Sequence, residues 1–507
     1  MIPPYPTAKE QLSLREKVGQ FLMPAVFLDD TEEQIQAMEA LIQDLGIGSL
    51  CFFQSRALAA ANVQAQKQTG ASPNEQPDYF GRLTELITRY QKASKYPLLI
   101  SIDAEWGLSM RLPDQLKWPY PITLGALGNR IDLIEQVGYA IGLECKKAGV
   151  HWNLAPVVDI NTQALNPVIG YRSFGDRPEA VSQRAFAWTN GLSKAGVLNS
   201  LKHFPGHGDT RTDSHLDLPV IDKTKKQLEA EEWVPFRHLL GQADSLMLGH
   251  LAVPALTKGE NEPATLSPAL IQIIRDWGYQ GILISDALNM KSVAQRFEKA
   301  GALELAAFQA GCDVLCFSEQ PDAGIEAILA QVKEEEIEQR FQRWWALKEK
   351  GLRSVEETSS STASPALLNE IAKNTLTLLQ GSPQNLEAFK NQQPSVRVFG
   401  KSSGIFQGGS SSTHCLIELY LPSPKPGKNF GLREEEWKEL LELLQTQKCW
   451  LYLFGNPYAL SRLPWKTCEG VVLAYEQEVA FQEAALKHYQ GLLSAQGQSP
   501  VNLKEDE

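Results

Sequence analysis

Long apolar runs and a surplus of basic residues are both missing from this chain of 507 residues. No stretch approaches the roughly 20 apolar residues that a membrane-spanning helix needs, so the sequence predicts no membrane span. The 60 Asp and Glu residues outnumber the 48 Lys and Arg residues, which gives a net charge of -12. Because binding to nucleic acid needs a basic face, this balance disfavours a nucleic-acid partner.

Cysteine is scarce, and its distribution does not indicate a disulfide framework. The seven cysteines are scattered and odd in number, so we interpret them as reduced, mostly buried thiols in a reducing compartment. The first twenty residues, "MIPPYPTAKEQLSLREKVGQ", lack the basic segment and apolar core of a signal peptide. We therefore expect a cytoplasmic protein. The cysteines stand at positions 51, 145, 312, 316, 415, 449 and 468.

Short apolar runs alternate with longer amphipathic ones over the first 350 residues. The short runs are almost continuously apolar, which is typical of parallel strands buried on both faces. Eight such units favour a (β/α)8 TIM-type barrel, although a doubly wound open sheet shows the same alternation. The runs are 20–27, 47–53, 97–103, 150–157, 197–204, 244–250, 281–286 and 312–318.

The remainder of the chain predicts a smaller C-terminal α/β domain. One long helix over 323–351 is expected to close the catalytic barrel at 1–353, and the Ser/Thr-rich segment 354–365 has the composition of a linker. The domain at 366–507 is predicted to begin with a helix over 367–380. Its expected strands are 396–400, 414–421, 449–455 and 470–476, and a last helix is expected around 478–491.

The stretch "KHFPGHGDTRTDSHLDLP" (202–219) holds three of the eight histidines on a backbone unsuited to a helix or strand. Three interpretations are open: a metal site, a surface loop, or acid–base catalysis. The first strand ends without the His-x-His ligands that metal-dependent barrel hydrolases usually carry there, which weighs against a metal. Asp213 and His215 suit catalysis, because a carboxylate bonded to one ring nitrogen fixes the imidazole tautomer and raises the pKa of the imidazole.

A second candidate lies at "GILISDALNM" (281–290), where Asp286 follows an apolar run. A carboxylate at such a strand end is either a helix N-cap or a nucleophile. Capping is the commoner role for a lone aspartate, so its neighbours decide between the two.

These two stretches together resemble glycoside hydrolase family 3, specifically its β-N-acetylhexosaminidase branch. Further stretches match it at 102–112, 153–160 and 172–178, so the resemblance covers about residues 1–350. It implies a retaining glycosidase that needs no metal or cofactor and forms a covalent glycosyl-enzyme on an aspartate. Two departures stand out: Trp106 in "DAEWG", where many bacterial members have "DQEGG", and Ala287 in "SDALNM", where the motif is "SDDLxM".

The resemblance assigns roles to eight residues. It implies that Asp286 is the nucleophile, that His215 is the general acid/base and that Asp213 is the partner of His215. It also implies that the sugar is bound by five residues whose bidentate or charge-assisted bonds suit hydroxyl groups. These are Asp103, Arg111, Arg172, Lys202 and His203.

Several nearby polar residues have structural interpretations instead. Glu105 suits an ion pair at the barrel mouth, and Asp159 suits ordering of the loop after the fourth strand. His250 fits equally well with lining the sugar site and with packing.

The expected function is removal of terminal β-linked N-acetylglucosamine by an exo-acting hydrolase, with a small carbohydrate such as a muropeptide of cell-wall recycling as substrate. Three alternatives remain open: a β-glucosidase or β-xylosidase of the same family, an N-acetylglucosaminide phosphorylase, and an inactive sugar-binding protein. The sequence does not indicate an oligomeric state.

Overall fold

The computed structural model describes residues 2–56, 78–210, 218–353 and 365–503, which form two compact units. The first comprises Met1–Trp118, Glu135–Asp159 and Ala185–Ala363. The second comprises Pro119–Ile134, Ile160–Arg184 and Ser364–Glu507. Two segments of the predicted catalytic domain are thus grouped with the C-terminal residues, so the predicted boundaries at 353 and 366 stay a prediction. Of the predicted linker, only Pro365 lies within the described residues.

The first unit is built on parallel strands, and each of the eight predicted runs contains at least one, with two in the run 20–27. The strands pair as β1-β9, as β2-β3-β4-β5 and as β6-β7-β8. Their residues are almost all buried, as the apolar runs predict. The strands are β1 Leu22–Met23, β2 Ala25–Phe27, β3 Ser49–Phe53, β4 Leu99–Ile102, β5 Trp152–Asn153, β6 Ser200–Phe204, β7 Ser245–Leu248, β8 Ile282–Ser285 and β9 Leu315–Cys316.

Helices separate these strands, and their ends follow local sequence signals. The Thr31 side chain accepts a hydrogen bond from the N–H of Gln34 in a capping box, and Gly46 ends that helix in the left-handed region at φ 66°. The helices up to residue 353 are Tyr5–Gln11, Leu14–Gly19, Glu32–Leu45, Tyr79–Ala93, Pro121–Gly125, Ile131–Lys147, Pro178–Lys194, Lys225–Ala230, Trp233–Leu239, Pro268–Asp276, Lys291–Ala294, Ala302–Ala310, Pro321–Gln331 and Glu334–Gly351.

The predicted single helix over 323–351 is wrong, because the structure has two helices there. Val332 and Lys333 adopt extended conformations between Gln331 and Glu334. Three glutamates occupy the first turn of the second helix, where negative charge is favoured by the helix dipole. A new helix start therefore interrupts what looks like one continuous amphipathic pattern.

The second unit contains a five-stranded sheet in the order β10-β14-β13-β12-β11, in which only β10 is antiparallel to its neighbour. Aromatic residues of the sheet, Tyr420, Trp450, Tyr452 and Phe454, form much of its buried core. The strands are β10 Thr377–Gln380, β11 Ser395–Phe399, β12 His414–Tyr420, β13 Lys448–Phe454 and β14 Gly470–Leu473. The helices after residue 364 are Pro365–Thr375, Pro383–Lys390, the single turn Gly427–Phe430, Glu434–Thr446 and Val479–Tyr489.

The predicted helix over 367–380 is wrong in its last third. The helix ends at Thr375, and the following residues form β10. Thr377 donates its hydroxyl to the carbonyl of Thr375 at 2.8 Å, and its backbone pairs with Leu473 of β14. Pairing with the sheet edge outweighs the helical pattern of the leucines. The chain therefore has an α/β fold with largely parallel sheets. Among the described residues, no helix combines the length and apolarity needed to cross a membrane.

Candidate active site

Asp103 directly follows β4 and lies between two cations. Its Oδ1 accepts a hydrogen bond from Lys202 Nζ at 2.8 Å, and its Oδ2 accepts one from Arg111 Nη2 at 2.6 Å. Burial alone would raise the pKa of Asp103, but the charges of Lys202 and Arg111 hold that pKa below its ordinary value. Asp103 is therefore an ionised carboxylate at neutral pH, and it brings together three of the residues predicted to bind sugar.

Lys202, in the middle of β6, has a second carboxylate partner. Its Nζ lies 2.7 Å from Glu105 Oε1, and the exposed fractions of the two side chains are only 2% and 1%. The negative charges of Asp103 and Glu105 balance the positive charges of Lys202 and Arg111. This balance permits the burial of these side chains. Glu105 thus has the ion pair that its sequence context suggested.

His203, the next residue of β6, is oriented by Asp159. Its Nδ1 lies 2.8 Å from Asp159 Oδ2, and its backbone N–H donates to the same carboxylate. The backbone N–H of His207 also donates to Asp159, at 2.9 Å. Burial acts to raise the pKa of Asp159, but the neighbouring His203 and His207 hold that pKa below its ordinary value. A carboxylate bonded at Nδ1 fixes the orientation of the His203 ring. Sequence analysis gave Asp159 a loop-ordering role and missed this pairing.

Asp286 directly follows β8, and it is half-buried. Its backbone N–H donates to the carbonyl of Leu248 at 2.9 Å, and its Oδ1 accepts a hydrogen bond from the N–H of Ala287 at 2.7 Å. The next helix begins at Lys291 with Met290 at its N-cap position. Asp286 is therefore not the N-cap of that helix. Its role as the nucleophile stays a prediction.

One buried thiol connects Asp286 with the Asp103 cluster. The hydrogen bond to Cys51, burial, and then the negative charges of Asp103 and Asp286 raise the pKa of Cys316. Both carboxylates thus act on one thiol at the end of β9, and the backbone N–H of Cys316 donates to Ser285 Oγ, directly before Asp286, at 2.9 Å. Lys202 and Arg111 both contact Asp103, and Asp286 lies at the end of another strand of the same unit.

The remaining predicted residues are placed differently. Arg172 lies in the second unit, at the end of the short turn Gly170–Arg172, and its Nη1 donates to the carbonyl of Val168 at 3.2 Å. Asp213 and His215 lie outside the described residues. Trp106, the departure noted beside Asp103, is 8% exposed and thus mostly packed inside the protein.

The parallel α/β fold with paired carboxylates and cations at its strand ends is typical of a protein that binds a polar ligand there. Comparison with known families gives this class a name. Residues 13–344 match the "Glycosyl hydrolase family 3 N terminal domain", and the chain belongs to glycosyl hydrolase family 3.

Curated relatives match the chain over about half of its length. A "Beta-hexosaminidase A" of Pseudoalteromonas piscicida is 35% identical over 241 residues, which are 44% of this chain and 40% of that protein. A "Beta-hexosaminidase" of Alkalilimnicola ehrlichii is 34% identical over 267 residues, which are 50% of this chain and 73% of that protein. The match thus spans less than half of the first relative and most of the second.

A solved structure is similar over nearly the whole chain. It is a glycoside hydrolase family 3 β-N-acetylglucosaminidase from Paenibacillus sp. str. FPU-7, with a TM-score of 0.75 and 25% sequence identity. The similarity covers 98% of this chain and 100% of that one. Both units described above therefore have counterparts in that structure.

Proposed function

We propose that this protein is an exo-acting β-N-acetylglucosaminidase that releases terminal β-linked N-acetylglucosamine. The observation that carries the proposal is the cluster of Asp103, Arg111 and Lys202 in the unit that also carries Asp286 at a strand end, in a member of glycosyl hydrolase family 3. The names of the curated relatives and of the Paenibacillus enzyme support the N-acetylated sugar. Muropeptide disaccharides in the cytoplasm are the proposed natural substrates.

We also infer that the first unit is a (β/α)8 barrel. Only Pro24 separates β1 from β2, so these two strands occupy one position in the barrel. The nine strands therefore fill eight positions. Isolated parallel bridges at Trp152↔Leu198 and Ile284↔Val314 join the three groups of paired strands. In such a barrel the catalytic groups lie at the carboxyl ends of the strands, where Asp103 and Asp286 occur.

In the proposed mechanism, the Asp286 carboxylate attacks the anomeric carbon as the bond to the leaving group breaks. His215 protonates the departing oxygen, and Asp213 supports the imidazolium that carries the proton. The resulting glycosyl-enzyme is then hydrolysed by a water molecule that His215 deprotonates. The roles of Arg172, Asp213 and His215 rest on the resemblance to the family alone.

Asp103, Arg111, Lys202 and His203 are assigned to the sugar hydroxyls. Asp103 can accept from hydroxyl groups because it is ionised, and the two cations beside it can donate. Such bonds strengthen as the sugar ring flattens toward the oxocarbenium-like transition state. The cluster should therefore contribute to the rate as well as to binding.

The test is turnover of an aryl N-acetyl-β-glucosaminide beside the matching aryl β-glucoside, each with and without phosphate. We expect the N-acetylated substrate to be preferred and phosphate to have no effect. Preference for the glucoside would replace the proposal with a β-glucosidase, and formation of a sugar phosphate would replace it with a phosphorylase. Turnover of neither substrate would favour a sugar-binding protein.

A further inference from the structure

His250 is a buried imidazole close to the proposed nucleophile, with no role in the mechanism so far. It is the second residue after β7 and is 0% exposed. A histidine removed from water needs partners for both ring nitrogens. The identity of those partners shows what the side chain holds in place.

Both partners of His250 lead to the segment that carries Asp286. Its Nε2 lies 3.0 Å from the carbonyl oxygen of Ala287, and its Nδ1 lies 2.9 Å from Thr265 Oγ1. A carbonyl only accepts hydrogen bonds, so Nε2 carries a proton and donates it to Ala287. Thr265 Oγ1 also lies 3.0 Å from the carbonyl of Leu248, and it can donate its one proton either to that carbonyl or to Nδ1. That same carbonyl accepts the backbone N–H of Asp286 at 2.9 Å.

We propose that His250 is a positioning residue that fixes the Asp286 carboxylate through Ala287. The N–H of Ala287 donates to Asp286 Oδ1 at 2.7 Å, while the carbonyl of Ala287 accepts from His250. Both polar groups of this residue are thus committed, one to the nucleophile and one to the imidazole. The methyl side chain of Ala287 brings no polar group, so its hydrogen bond to the nucleophile comes from its backbone.

The expected consequence for catalysis is geometric. A nucleophile must meet the anomeric carbon in line, and a displacement of about 1 Å can lower the rate by about 100-fold. His250 holds the backbone beside Asp286 without being assigned any contact with sugar. Its loss should therefore lower kcat and leave KM nearly unchanged. This inference rests on the proposed function, because it needs Asp286 to be the reacting group.

The test compares His250→Leu with His250→Gln on an aryl N-acetyl-β-glucosaminide. Leucine cannot donate to Ala287, whereas the glutamine amide nitrogen can reach a position close to that of Nε2. We expect His250→Leu to lower kcat by about 10- to 100-fold with KM within about threefold, and His250→Gln to restore at least a third of wild-type kcat. The matched control is His238→Leu, at an exposed position, which should keep wild-type kinetics.

Thr265→Val keeps the test decisive if His250→Leu does not fold. It retains the shape of the side chain and removes the hydroxyl that bonds Nδ1, and it should lower kcat by about threefold or more. Equal kcat losses in the Leu and Gln variants, a loss confined to KM, or wild-type kcat in folded Thr265→Val would each overturn the positioning role. Asp286→Ala is measured in parallel. If Asp286→Ala remains active, the proposed function itself fails, whatever the His250 variants do.

Discussion

Asp103 in the first unit and Glu418 in the second are both shielded carboxylates, but different kinds of group surround them. Asp103 is 15% exposed and is bonded by the side-chain cations Lys202 and Arg111. Glu418 is 0% exposed and accepts hydrogen bonds from the backbone N–H groups of Ile405 and Phe406 and from the Tyr420 hydroxyl. Long cationic side chains can rearrange around an incoming ligand, whereas backbone groups are fixed by the fold. A carboxylate held by side chains thus suits a binding site, and one held by backbone suits the structure of a loop.

Asp286 should give the largest effect, because it is the carboxylate assigned to form a covalent bond. Asp286→Ala should lower kcat by about 10⁴-fold or more, the scale lost when a covalent nucleophile is removed. The melting temperature should stay near that of the wild type. Turnover and thermal unfolding are measured beside Asp276→Ala, an exposed aspartate that should have no effect. Near wild-type turnover in Asp286→Ala would refute the site assignment.

His215→Ala should separate the two steps of the proposed reaction. Natural disaccharides need protonation of the leaving group and should lose about 10²- to 10⁴-fold in kcat/KM. Aryl glycosides with good leaving groups should lose far less, and the glycosyl-enzyme should accumulate because no base activates water. Azide needs no base, so it should partly restore turnover. Equal losses for both substrate types without rescue by azide would remove His215 from the acid/base role.

Asp103→Asn and Glu418→Gln test whether the first carboxylate serves binding and the second serves structure. Asp103→Asn removes the charge that pairs with Lys202 and Arg111, so kcat/KM should fall by about 100-fold. The change in stability should be small, because Lys202 keeps its ion pair with Glu105 and the Arg111 side chain is 22% exposed. Glu418→Gln places an amide N–H where a carboxylate oxygen now accepts from a backbone N–H, so two donors face each other. The free energy of unfolding should therefore fall by about 2–3 kcal/mol. The kcat of folded Glu418→Gln should stay unchanged.

These two variants are measured by enzyme kinetics and by urea unfolding, with the exposed Asp114→Asn as the control. A loss of kcat in folded Glu418→Gln, or a loss of stability without a kinetic effect in Asp103→Asn, would reverse the distinction between the two carboxylates.

Lys348 is a buried charge that has no acidic partner among the described residues, and its substitution should give the smallest effect. Its Nζ donates to Gln20 Oε1 at 2.6 Å, and burial lowers the pKa of Lys348 to about 7 from an ordinary 10.5. Between those values the unfolded chain binds more protons at this residue than the folded protein does. Its contribution to stability therefore rises with pH from about 7 to 10.5, by at most about 1.4 kcal/mol per pH unit.

Lys348→Met removes this dependence and should raise the free energy of unfolding at pH 7 by about 1–2 kcal/mol. The measurement is urea unfolding at pH 7 and pH 9 for the wild type, for Lys348→Met and for the exposed control Lys438→Met. The same pH dependence in all three proteins would show that Lys348 is not the titrating group.

The strands of the first unit could be predicted from sequence because buried parallel strands leave continuous apolar runs. The errors came where two elements share one amphipathic pattern, as at Val332 and Thr377. Asp103 and Asp286 were visible as carboxylates at strand ends. The pairing of Asp159 with His203 was not, since it joins residues 44 positions apart and depends on how neighbouring strands align. The Ala287–His250 contact was hidden for the same reason.

The pairing of β1 with β9 has a consequence for biosynthesis. Leu22 lies opposite Leu315, so the partner of the first strand is translated about 290 residues after the strand itself. At the usual rate of about 5–20 residues per second, the nascent chain exposes an apolar strand edge for roughly 15–60 s. Strand edges of this kind associate with other chains, so the yield of native protein should depend on chaperones and on growth temperature.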